Sequence, residues 1–119
     1  MCGIAAYCIA MRLFTTKTYE RAIGRLLPEE SRKQMEDNIA LDPTAGAIIP
    51  GTGGIRKIRW SVPGRGKRGG LRTIYFYQVG PEEIYMLTAY GKSSQSDLTP
   101  QDKKAWTKLV AAIKKEGEK

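Results

Sequence analysis

Three stretches in the second half of the chain constrain its fold more than any other feature. From Ile55 to Val62, the apolar residues Ile58, Trp60 and Val62 alternate with Lys57, Arg59 and Ser61, the two-residue period of a strand with one buried face. Leu71 to Val79 and Ile84 to Tyr90 are rich in β-branched and aromatic residues and are bounded by glycine and proline. The connections between the three, PGRGKRGG and Pro81 to Glu83, are short. Consecutive strands so joined pair as an antiparallel meander.

The flanks supply helices. Met11 to Thr16 reads as a short strand. From Lys17 to Leu27, the residues Tyr19, Ala22, Ile23, Leu26 and Leu27 recur at helical spacing and form one apolar stripe. Pro28, Glu29 and Glu30 suit the first turn of a second helix, because proline has no donor to lose there and carboxylates complement the helix dipole. Its buried side is marked by Leu27, Met35 and Ile39, and it stops before Asp42-Pro43. Thr99, Pro100 and Asp102 then open a third helix as a capping box, with Ala105, Trp106, Leu109, Val110 and Ile113 along one side. A chain of 119 residues fits one domain of this α/β (α+β) class. That domain spans 11–119, because MRLFTTKTYERA from Met11 is the more conventional start; the apolar segment 1–10 reads as an extension.

Charge narrows the partner. Between Pro43 and Pro81 there is no Asp or Glu, while Arg56, Lys57, Arg59, Arg65, Lys67, Arg68 and Arg72 hold nearly the whole net charge of +8. Seven cations without internal counter-ions point to a polyanion, since they attract phosphates at long range and release condensed counter-ions on contact. Within the strand, Lys57 and Arg59 project to one face about 6 to 7 Å apart. There is no histidine, and the two cysteines are Cys2 and Cys8, so the ligand set for zinc is missing and no disulfide framework is expected. A reducing cytoplasm suits that usage, and the apolar opening lacks a basic leader region and is too short to cross a bilayer.

The hairpin loop Gly64-Arg65-Gly66-Lys67-Arg68-Gly69 matches the Gly-x-Gly-x-x-Gly pattern of dinucleotide loops, but that fingerprint needs a helix after it and here a strand follows. Read beside basic strands, the loop brings Arg65, Lys67 and Arg68 to phosphates, its glycines allowing close backbone approach; a mobile solvated hairpin is the plainer alternative. Arg72 opens an otherwise apolar strand next to this loop. Tyr75, Tyr77 and Tyr85 are read as packing residues, and Tyr90, followed by Gly91 and Lys92 at a strand end, as a ring that stacks on a base. Lys103, Lys104, Lys114 and Lys115 read as a solvated helix face. The opening MCGI is similar to the start of N-terminal-nucleophile amidotransferases over four residues only, and nothing downstream continues the likeness.

The segments GTGGIRKIRW, GRGKRGGLRTIYFY and IYMLTAYGKSSQSDLTPQDKK together resemble the RelE/HigB group of toxin-antitoxin toxins, from about Leu41 to the C-terminus. The resemblance implies a RelE-like small antiparallel sheet with two N-terminal helices and a C-terminal helix. It implies ribosome-dependent cleavage of messenger RNA and inhibition by a cognate antitoxin, usually a helix-turn-helix protein that carries the complex to operator DNA. On the matching positions, Lys57 and Arg59 take the places of two basic strand residues of the active site and Arg72 that of an arginine supporting the transition state. Lys92 falls near further catalytic side chains. The C-terminal tyrosine that several relatives use is not evident, since Ser96-Asp97-Leu98-Thr99 occupies that segment, and the histidines of others are absent.

The chemistry expected of such a set needs no cofactor. Metal-dependent nucleases hold magnesium with carboxylates, and the basic segment has none. A ribose 2′-hydroxyl would instead attack the adjacent phosphate, with Arg59, Arg65 and Arg72 on the non-bridging oxygens. Like-charge repulsion favours the neutral form of a lysine among arginines, which nominates Lys57, Lys67 and Lys92 for proton transfer. Two other readings stand beside this one: a relative that binds nucleic acid without cleaving, and a ParE-like poison of DNA gyrase, against which Lys57, Arg59 and Arg72 argue.

Overall fold

The computed structural model describes residues 11–61, 70–80, 82–91 and 99–117. The segment 1–10, the loop cations Arg65, Lys67 and Arg68, and Lys92 lie outside the described residues. In chain order the elements are β1 (Arg12–Thr15), α1 (Lys17–Leu26), α2 (Glu29–Leu41), β2 (Ala47–Ile48), β3 (Ile55–Trp60), β4 (Leu71–Gln78), β5 (Glu83–Gly91) and α3 (Pro100–Gly117). No described helix is long and apolar enough to cross a membrane.

Thr16, read from the sequence as the end of the first strand, is instead the cap of α1, its hydroxyl accepting from the Tyr19 N–H at 3.0 Å. Thr99 caps α3 in the same way, accepting from the Asp102 N–H at 3.1 Å. Pro28 differs by one position. Its ψ of 158° is extended, so it is the cap of α2 rather than part of the first turn, and the helix begins at Glu29. At the far end Asp42 donates its backbone N–H to the Asn38 carbonyl and closes α2 ahead of Pro43.

The five described strands form one sheet in the order β1-β5-β4-β3-β2. The meander β3-β4-β5 is antiparallel, as its short connections require. The sheet as a whole is mixed, because β1 joins the outer edge of β5 in parallel, Arg12 opposite Glu83 and Thr15 opposite Met86. A parallel partner needs a long crossover, and everything from α1 to β4 supplies it. β2, only two residues, pairs with β3 at the other edge and is too short to show a period.

Each face of the sheet carries its own core. Tyr19 and Ile23 from α1 and Leu27 just after it, with Met35 and Ile39 from α2, pack on Leu71, Tyr75, Ile84, Met86 and Ala89. On the other face Val110, with half-buried Trp106, Leu109 and Ile113 of α3, packs on Ile55, Ile74, Phe76, Leu87 and Tyr90. Each such side chain contributes about 1.5 to 3 kcal/mol when taken fully from water. Arg32 ties α1 to α2, bonding Glu36 at 2.9 Å and Glu20 at 2.7 Å, while buried Tyr19 donates to Glu36 at 2.6 Å.

Candidate nucleic-acid interface

Strand parity places the cations. In β3, Ile55 belongs to the core under α3, so Lys57 and Arg59, two and four residues on, share that face. In β4, Ile74 and Phe76 belong to the same core, so Arg72 shares it as well. The register sets Arg59 directly opposite Arg72, and Lys57 opposite Ile74. Side chains so paired have Cβ atoms about 4.5 to 5.5 Å apart. Lys57 and Arg72 are half-buried and Arg59 is exposed. Three of the four residues expected to act in catalysis are thus brought together on one face; the fourth, Lys92, lies beyond the described residues.

Two expected RNA contacts are placed differently. Arg56 sits between Ile55 and Lys57 in the strand, and parity turns it to the opposite face. There one guanidinium nitrogen donates to the carbonyls of Thr44 at 3.0 Å and Gly46 at 2.7 Å, so Arg56 braces the connection ahead of β2. Tyr90 is opposite Arg72 in the register, but it is only 6% exposed and packs in the α3 core. A ring that is to stack on a base needs an open face, so Tyr90 is a packing residue under the patch. A shift in register makes this possible: Ile74 pairs with Thr88 but Tyr75 with Met86, and the skipped Leu87 is buried in the same core.

The other tyrosines are structural, as read from the sequence. The Tyr75 hydroxyl donates to the Pro43 carbonyl at 2.8 Å and accepts from the Gly46 N–H at 3.0 Å; burial raises its pKa. Tyr77 bonds Glu82, and burial followed by that carboxylate raises its pKa too. Tyr85 bonds Glu83 and is pushed up to about 12, mainly by burial. All three are therefore neutral near pH 7 and none is a base there.

The turn that delivers β3 is firmly made. Thr52, 1% exposed, donates to the Ile49 carbonyl at 2.6 Å and accepts from the Ile55 N–H at 3.2 Å. Gly53 and Gly54 have φ of 83° and 117°, the left-handed range in which a side chain is strained. Lys114, read from the sequence as part of a solvated face, is exposed yet engaged: its ammonium donates to the Gly53 carbonyl at 2.6 Å and lies 5.8 Å from the centre of the Phe76 ring. No spacing in the sequence announces that contact, which joins residues 61 positions apart.

Residues 11–119 match the family described as "RelE toxin of RelE / RelB toxin-antitoxin system". Among solved structures the chain is similar to a double arginine-to-alanine mutant of the E. coli toxin RelE in the free state. The TM-score is 0.48 and the identity 17%, over 71% of this chain and 86% of that one.

Proposed function

We propose, from the premise that this chain belongs to the RelE toxin family, that it is a cytoplasmic endoribonuclease cleaving messenger RNA on the ribosome. Its partner in the toxin-antitoxin pair is a cognate antitoxin, of the RelB kind that the family description names or of the helix-turn-helix kind. The observation that carries the reading is the shared face of Lys57, Arg59 and Arg72, drawn from a segment that has no carboxylate from Pro43 to Pro81.

In this scheme the scissile phosphate lies over the Arg59–Arg72 pair, whose guanidinium groups donate to the non-bridging oxygens as charge develops there. The ribose 2′-oxygen forms a bond to phosphorus while the bond to the 5′-oxygen of the next nucleotide breaks. A 2′,3′-cyclic phosphate and a 5′-hydroxyl result. Lys57, on the same face, moves the proton of the 2′-hydroxyl, and Arg65, Lys67, Arg68 and Lys92 extend the contact to RNA.

Induction of the protein followed by primer extension on translated messages tests this. New 5′ ends within codons are expected, and Lys57→Ala or Arg72→Ala should abolish both the ends and growth inhibition while leaving antitoxin binding intact. Intact messages in growth-inhibited cells, or full toxicity in both variants, would overturn it. Supercoiling defects without message breaks would point instead to a gyrase poison.

A further inference from the structure

The sheet ends at β1, whose outer edge is covered by no described strand. Its parallel pairing with β5 decides which backbone groups face outward. The Arg12 N–H donates to the Glu82 carbonyl and the Thr16 N–H to the Met86 carbonyl, both at 3.1 Å. Residues 12, 14 and 16 therefore turn their backbone groups to β5, and the N–H and C=O of Leu13 and Thr15 point away from the sheet. Such an edge is a template for one more strand.

Side chains along one row make the same edge apolar. Ile55, Phe76, Tyr85 and Phe14 stand opposite one another across β3, β4, β5 and β1. The rings of Phe76 and Tyr85 stack with centres 6.4 Å apart, and those of Tyr85 and Phe14 with centres 5.1 Å apart. Ile55 and Phe76 are buried, whereas Phe14, the last in the row, is 41% exposed. The one charged residue of β1 is Arg12, which is paired with Glu83 and lies 5.8 Å from the centre of the Phe14 ring. Its charge is balanced locally, so the edge exerts no strong pull on an acidic or a basic strand.

The edge is instead complementary to itself. In an antiparallel pair of two copies centred on Phe14, Leu13 of each copy faces Thr15 of the other, and these two pairs exchange hydrogen bonds through all the outward N–H and C=O groups. The two Phe14 residues form the central non-hydrogen-bonded pair, with Cα atoms about 4.5 Å apart, and the row of rings continues from one sheet into the next. Arg12 stands diagonal to Phe14 of the second copy, within reach of that ring. We propose that the β1 edge is a self-association surface through which two copies of this chain join their five-stranded sheets. The surface is separate from the cleavage reading, whose residues lie on β3 and β4.

The test is sedimentation of the full chain from about 10 μM to about 1 mM, with amide hydrogen exchange followed alongside. A strand of four residues per copy makes a small interface, so a monomer–dimer equilibrium with Kd on the order of 0.1 mM is expected. Because both copies are cationic, the dimer should strengthen as salt rises. Exchange at Leu13 and Thr15 should slow about fourfold across that range, as the free monomer falls, while Phe14, turned to β5, stays unchanged. Phe14→Lys should abolish the dimer and Phe14→Tyr should keep it. A second reading does not depend on losing the contact: with Cys2 and Cys8 changed to Ser, mild oxidation should link two copies through Phe14→Cys and not through Arg12→Cys. A monomer throughout the range, a dimer that Phe14→Lys leaves intact, or one that salt dissolves would overturn the proposal. So would protection of Leu13 and Thr15 that is already complete at the lowest concentration, which assigns the edge to the chain's own residues 1–10, or that arises only with an antitoxin, which assigns it to that partner.

Discussion

Arg59 and Arg72 stand opposite each other across β3 and β4, and Lys57 is one diagonal step away on the same face. Like charges so placed repel, and the patch works against the fold that presents it. Arg72→Met deletes one charge and keeps an unbranched stem. With charged heads about 6 Å apart, Coulomb's law in water gives ~0.7 kcal/mol for the direct pair, and ~0.5 kcal/mol for Lys57 at about 8 Å. A Debye length of about 30 Å at 0.01 M salt leaves most of this, about 1 kcal/mol, whereas about 8 Å at 0.15 M leaves ~0.5 kcal/mol. For a chain of this length those values correspond to a rise in Tm of about 4 °C and about 2 °C. Scanning calorimetry at the two salt concentrations is the assay, with growth inhibition measured in parallel. The variant should be more stable, less so as salt rises, and non-toxic. A lower Tm at both salt concentrations would show that Arg72 is held by a favourable partner, and a gain that ignores salt would show that relief of charge repulsion is not its cause; either refutes the reasoning.

Two further outcomes test the scaffold. Gly46→Ala would place a Cβ 2.7 Å from the Tyr75 hydroxyl oxygen, breaking its bond to the Gly46 N–H, so urea unfolding should show a loss of about 1 to 3 kcal/mol; a neutral result would mean that the connection ahead of β2 is not pinned as described. The bond from Arg32 is the main cause holding the Glu20 carboxyl below its ordinary value of 4.5. A depressed carboxylate contributes stability that is present above its unfolded pKa and lost as pH falls through the folded one, so urea midpoints should drop below about pH 4.5, and Arg32→Ala should flatten that part of the profile.

The elements with strong local causes were readable from residues alone. Thr99 caps its helix, Pro43 limits α2, and the alternation around Ile58 and Trp60 makes a strand whose neighbours in sequence are its neighbours in space. The parallel docking of β1 was not readable, because Arg12 and Glu83 are 71 residues apart and neither side of that pair carries a mark of the other. Among the site residues, the alternation also linked Lys57 with Arg59. It contained the information that Arg56 faces away, but charge alone groups all three, and only the position of the α3 core shows which face is which.

What the sequence by itself determined is the chemistry available: a carboxylate-free basic strand and hairpin, glycines for the turn, and helices with their caps, all properties of residues close along the chain. What only the tertiary structure decided is which of these groups meet. Register across β3 and β4 set Arg59 against Arg72, packing of α3 buried Tyr90, and the docking of β1 on β5 left Phe14 at an edge of the sheet. Such contacts join distant residues, and they follow from how two faces of one sheet are covered rather than from any local preference.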